Sequence, residues 1–120
     1  MKAMILLIGR QEKSVWHQIL SESLTTLGKL DLVSEEELSA ETTQTDYNLV
    51  IVDAATVIDA ENLLSRLLIE KPYLKIVVAT LSPTWQEARA VLRAGAADYL
   101  SKALTRRELL VAIENVLNIR

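Results

Sequence analysis

Cysteine and phenylalanine are absent from this 120-residue chain, and glycine (three), proline (two) and histidine (one) are scarce. Without cysteine there is no disulfide framework, no thiolate metal cluster and no cysteine nucleophile, and a reducing, cytoplasmic setting is expected. So little glycine and proline, in a chain of which 50% is hydrophobic, argues for a folded domain and against disorder. An excess of base is missing too. The chain has 13 Lys and Arg against 16 Asp and Glu, a formal charge of −3, which does not suit a protein that coats nucleic acid. Its longest apolar runs are about five residues, against the roughly 20 that span a bilayer, and no signal-peptide pattern is present. Neither nucleic acid nor membrane is therefore expected as a partner. The length suits one domain, residues 1–120, with any output or catalytic unit lying elsewhere.

What the chain does contain is three apolar runs rich in β-branched residues: Met4–Ile8, Leu49–Val52 and Ile76–Ala79. Continuous apolar character, without alternation, is the mark of strands in a parallel sheet covered on both faces. Leu30–Val33 and Tyr99-Leu100 are weaker strand candidates. Between the runs the apolar spacing becomes helical. Trp16, Leu20, Leu24 and Leu27 form one stripe, ended by Gly28 as a left-handed cap. Leu63, Leu64, Leu67 and Leu68 form a second, between Asp59 as N-cap and Pro72 as stop. A third stripe (Trp85, Ala88, Leu92) follows Ser82-Pro83, read as cap and first-turn proline, and stops at Gly95. The last helix starts at a capping box, Thr105 to Glu108, and carries Leu109, Ala112, Ile113 and Val116. Six acids and no base lie between Asp31 and Asp46, a stretch read as a short or frayed helix with a loop. Strands alternating with helices imply an α/β domain with a doubly wound parallel sheet between helical layers.

In such sheets function gathers at the carboxyl ends of the strands. Gly9 and Arg10 follow the first strand, Asp53 the third, Thr80 the fourth, and Ser101 and Lys102 the fifth. One carboxylate, one hydroxyl and two cations should converge on one edge.

The ordered segments Asp46-Tyr47-Asn48-Leu49-Val50-Ile51-Val52-Asp53, Ala79-Thr80 and Ala94-Gly95-Ala96-Ala97-Asp98-Tyr99-Leu100-Ser101-Lys102 resemble the receiver domain of bacterial response regulators. The resemblance runs over essentially the whole chain. It implies a flavodoxin-like (βα)5 fold with five strands in the order 2-1-3-4-5, and a signalling role without turnover. In receivers an aspartate attacks a phosphohistidine phosphoryl group and forms an acyl phosphate. A divalent ion held by that aspartate and two acids after the first strand neutralises the phosphoryl oxygens. By the resemblance Asp53 takes the phosphoacceptor position, Lys102 pairs with one phosphoryl oxygen and Thr80 bonds another. Tyr99 would be the switch aromatic that rotates inward and re-forms the surface of the last helix, strand and helix. Implied partners are a histidine kinase or phosphotransfer protein, or another signalling protein, and a second copy docked through the last two helices.

The chain departs from the family where the metal should be. Gly9-Arg10 stands in place of the acidic pair, and neither residue ligates magnesium, because a guanidinium has donors and no acceptor. Arg10 also repels a dication. Glu12 is one carboxylate two residues late. Leu81 replaces a small residue beside the phosphoryl pocket, and Ala103 replaces the proline after the lysine. No cofactor is therefore expected, with magnesium admitted only if the altered site still binds it. We expect Arg10 and Lys102 to hold Asp53 in an ion-pair network, which makes the domain a divergent or pseudo-receiver.

The plainer readings are a strand-end Asp53 capping its turn, a solvated Lys102 and a loop cation at Arg10. His17 has no partner at ligand spacing, and Trp16 and Trp85 read as core or interface residues. The bases Arg89, Arg93, Arg106 and Arg107 offer partners for acids across a dimer seam. An aspartate-nucleophile phosphatase would need a second acid where Asp53-Ala54-Ala55 has none, and a dinucleotide site would need more than the one glycine of Ile8-Gly9-Arg10-Gln11-Glu12. Two alternatives remain: a working phospho-receiver modified on Asp53 that controls an output domain or partner, and, with less weight, a small anion or nucleotide sensor.

Overall fold

All five strand candidates lie in one sheet of the computed structural model, which describes residues 2–9, 14–38 and 45–118. They are β1 (Ala3–Ile8), β2 (Gly28–Val33), β3 (Leu49–Asp53), β4 (Ile76–Thr80) and β5 (Asp98–Ser101). Every pair is parallel and the order is β2-β1-β3-β4-β5. This is the doubly wound, flavodoxin-like arrangement expected from the sequence. β3 and β4 are buried along their whole length, as continuous apolar runs require, whereas the edge strand β2 is partly exposed throughout.

The α-helices among the described residues are α1 (Val15–Leu24), α2 (Ala60–Glu70), α3 (Trp85–Arg93) and α4 (Arg106–Leu117). Side chains alternate across a strand, so the sheet divides the core in two. Ile5, Leu7, Leu49, Ile51, Val77, Ala79 and Leu100 meet Leu20 and Leu24 of α1 and Leu109 and Ile113 of α4. On the other face, Leu6, Ile8, Val50, Val52, Ile76 and Val78 meet Leu63 and Leu64 of α2 and Val91 of α3. Asp59 caps α2 by accepting from the Asn62 amide, and the Thr105–Glu108 capping box starts α4 as read from the sequence. No described helix is long and apolar enough to cross a membrane.

Three local expectations are corrected. Gly28 is not a left-handed cap; it opens β2, and among the described glycines only Gly95 has positive φ, at 115°. Gly28 is needed for closeness instead, since a Cβ there would lie 1.8 Å from the Ala3 carbonyl oxygen on β1. The cap of α3 is Thr84, which accepts from the Glu87 amide, so Pro83 precedes the helix and does not occupy its first turn. That helix buries Val91, leaving Trp85 67% and Leu92 47% exposed. A short helix with apolar residues at both Val91 and Leu92 fits two rotations by spacing alone, and only packing on the sheet chooses between them. The acidic stretch holds a short helix, as read, in the form of one 3-10 turn at Glu35–Glu37, while 39–44 lie outside the described residues.

Candidate functional site

Parallel pairing sets the strand ends side by side. Ile8 is level with Val52, Asp53 with Ala79, and Thr80 with Ser101. Beyond the last paired residues, the Gly9 amide donates to the Val33 carbonyl (2.9 Å) and the Lys102 amide to the Thr80 carbonyl (2.8 Å). Gly9, Asp53, Thr80 and Lys102 thus reach one edge of the sheet, as the sequence implied.

Asp53 is the centre of this edge. It is 8% exposed and closes β3, where its Oδ1 accepts from the Ala55 amide at 3.1 Å and caps a 3-10 turn over Ala54–Thr56. The plain turn-capping role is therefore real. It is not the only one, because the Lys102 ammonium lies 2.5 Å from the same oxygen, with side-chain exposures of 8% for Lys102 and 12% for Asp53. A buried ammonium needs its charge answered on the spot, and here two groups do so. The second is Trp16 of α1, whose ring centroid lies 4.7 Å from Lys102 Nζ. The sequence reading placed Trp16 in the core stripe and gave it no part in the site. Its position on α1 marks it as apolar-facing, but nothing in the spacing links it to a lysine at the far end of the chain.

Strand alternation divides the remaining residues. Asp53 shares the sheet face of Leu49 and Ile51, and Lys102 that of Leu100, the side covered by α1 and α4. Thr80 and Tyr99 fall on the opposite face, with Ile76 and Val78. The buried Thr80 hydroxyl accepts from the Ser82 amide at 3.2 Å, and among the described residues no hydrogen bond joins it to Asp53 or Lys102. Tyr99 points to the start of α3. Its hydroxyl donates to Glu87 Oε1 at 2.5 Å and accepts from the Thr84 amide at 3.3 Å. Burial, and then the bond to the Glu87 carboxylate, hold the Tyr99 phenol above its ordinary pKa of 10.0, against a smaller opposing effect from Thr84.

Gly9 faces Asp53 directly. A Cβ at Gly9 would lie 3.4 Å from Asp53 Cβ and 3.8 Å from its Oδ2, ordinary contact distances that accommodate a methyl group. Arg10 and Glu12 lie outside the described residues, so the expected network is described only for Asp53 and Lys102. An open cleft of about 540 Å³ borders the pair, lined among others by Val15, Trp16, His17, Thr56 and Leu81.

Magnesium does not fit the described residues. It requires several hard oxygen donors in near-octahedral array. Here Gly9 offers no side-chain donor, one Asp53 oxygen is already taken by an ammonium, and no cluster of three or more His, Asp or Glu among the described residues is placed to hold a metal.

No protein-family model matches the chain, and no curated protein matches it in sequence. Solved structures do match it in shape. A response regulator from Thermotoga maritima is 20% identical with a TM-score of 0.83, over 98% of this chain and 99% of that one. A two-component response regulator from Clostridium difficile is 22% identical, TM-score 0.83, over 98% and 97%. The signal receiver domain of an HD domain-containing protein from Pseudomonas fluorescens is 25% identical, TM-score 0.81, over 98% and 96%. The fold of this chain is that of response-regulator receiver domains.

Proposed function

We propose that this chain is a receiver-type signalling domain that works through protein contacts, with Asp53 at the phosphoacceptor position and closed by Lys102. The observation that carries this reading is the buried 2.5 Å ion pair between Lys102 and Asp53, beside a Gly9 that offers no ligand. A carboxylate so paired has part of its charge answered by the protein itself, which is the task the divalent ion performs in an ordinary receiver. The contact surface would be formed by α3, β5 and α4, where Tyr99 ties β5 to the first turn of α3. A partner there would be another signalling protein or a second copy of the chain. The domain has no turnover of its own in this reading, and its output lies in whatever it contacts.

Asp53, Lys102 and Thr80 nonetheless share the carboxyl edge of the sheet, which favours a second reading. In it, a histidine kinase or phosphotransfer protein phosphorylates Asp53, and the domain switches an output partner. Backbone amide spectra in beryllofluoride and Mg²⁺ separate the two. The first reading expects unchanged shifts at Asp53, Thr80, Tyr99 and Lys102. Saturable shifts at those positions, lost in Asp53→Asn, would establish the second.

A further inference from the structure

We propose that Trp16 is a positioning residue for Lys102: its ring holds the ammonium against Asp53 and makes the first turn of α1 the part through which the site opens. This inference deepens the function proposed above, because it concerns control of the same ion pair. Lys102 Nζ touches two groups, Asp53 Oδ1 at 2.5 Å and the face of the Trp16 ring, whose centroid is 4.7 Å away. Its side chain is only 8% exposed, so water does little to hold it. An ammonium has three donors, and a single carboxylate oxygen cannot serve all of them. The negative face of an indole supplies attraction from another direction without competing for the carboxylate, and tryptophan is the strongest ring for this purpose.

The placement of the ring gives it a role in control. Leu20 and Leu24 fix the C-terminal half of α1 in the core, each at most 1% exposed. The first turn is different. Ser14 caps it through the His17 amide, Val15 is 76% exposed, and Trp16 and His17 are half-buried on the wall of the cleft beside Asp53. Movement of that turn carries the ring off the ammonium while the rest of the helix stays docked. Lys102 then loses one of its two holds, and the Asp53 oxygen it pairs with is released toward the cleft that Asp53 already lines.

Lysine footprinting tests this on the intact chain. The protein is treated briefly with N-hydroxysuccinimidyl acetate, and acetylation is read by peptide mass spectrometry, with Lys29 as internal reference because its side chain is 70% exposed. In the wild type Lys102 is protected relative to Lys29. Trp16→Leu keeps an apolar side chain without a ring and is expected to raise Lys102 labelling relative to Lys29 about tenfold, the scale of one desolvated cation–π contact. Trp16→Phe keeps a smaller ring and should restore most of the protection. Equal labelling in Trp16→Leu and wild type, or equal rises in the Leu and Phe variants, would overturn the proposal. Should Trp16→Leu fail to fold by circular dichroism, fluorinated tryptophan in a Trp85→Phe background weakens the ring's negative face at nearly constant shape. Labelling must then rise with fluorination, and a flat response overturns the proposal equally. No phosphoryl donor is involved, so these outcomes are independent of whether Asp53 accepts a phosphoryl group.

Discussion

At the scale of single residues, the molecule is arranged around the charge balance of Asp53. Removing one member of a buried ion pair leaves the other uncompensated, at a cost of about 3 kcal/mol. Lys102→Met is accordingly expected to destabilise by about that amount in urea unfolding. Lys102→Met combined with Asp53→Asn should be clearly more stable than the sum of the single changes, because the stranded charge is gone. Additive effects would show that the pair is not coupled. Gly9 allows a complementary experiment. Gly9→Asp places a second carboxylate beside Asp53, at a position where an added Cβ makes only ordinary contacts. Without metal the variant should melt below wild type through like-charge repulsion. Millimolar Mg²⁺ should then raise its melting temperature by several degrees while leaving wild type unmoved, since a ligand that binds only the folded state stabilises it. The strand-end positions of Gly9, Asp53, Thr80 and Lys102 were legible in the sequence, because they follow from local apolar runs. The part of Trp16 was not. Its contact with Lys102 depends on α1 and β5 meeting across one face of the sheet, and helical spacing marks an apolar-facing ring without naming its neighbour.

At the scale of elements, the strands and three helix starts or stops were readable because each depends on chemistry within a few residues: Asp59 capping α2, Thr105 and Glu108 capping α4, and Gly95 ending α3. Gly28 shows where such reading fails. Its reason for being glycine lies on another strand, the Ala3 carbonyl 1.8 Å from where its Cβ would sit. Gly28→Ala should therefore force β1 and β2 apart and destabilise by about 3 kcal/mol or more, as overpacking against backbone does. A loss below about 1 kcal/mol, the ordinary scale of a glycine substitution, would mean the close approach is wrong. The link between β5 and α3 makes a prediction in alkali. Burial and Glu87 raise the Tyr99 phenol above its ordinary 10.0. A phenol whose pKa is raised by folding contributes stability that is complete below the unfolded value and lost as pH rises through the folded one. Stability should thus fall above about pH 10, and Tyr99→Phe, which cannot ionise, should flatten that fall. A late tyrosinate absorbance step, smaller by one tyrosine in the variant and kept in part by Tyr47, whose phenol pKa burial also raises, is the accompanying optical sign. An unchanged alkaline profile in Tyr99→Phe would contradict the assignment.

At the scale of the whole molecule, the sheet separates two devices. Asp53, Lys102 and Trp16 form one on the α1 and α4 side, and Thr80 and Tyr99, with Glu87, lie on the α3 side. The two meet at the strand ends, where Asp53 is level with Ala79 and Thr80 with Ser101. The outer surface is already partly committed. Arg106, which the sequence offered to a dimer seam, pairs with Glu22 of α1 at 2.6 Å in its own chain. That exposed contact is worth at most about 1 kcal/mol and leaves Arg89, Arg93 and Arg107 for an acidic partner. The doubly wound fold was legible because buried parallel strands declare themselves as unbroken apolar runs. The division of the site between two faces was not, since it emerges only once every strand has a register.

The most direct measurement is the intact mass of the wild-type chain after incubation with acetyl phosphate, with Mg²⁺ and with EDTA, alongside Asp53→Asn. The proposed site, closed by Lys102 and without a magnesium ligand at Gly9, predicts no phosphoryl increment that depends on both Mg²⁺ and Asp53. A stoichiometric increment present with Mg²⁺, lost with EDTA and absent from Asp53→Asn would contradict it and make the chain a working phospho-receiver.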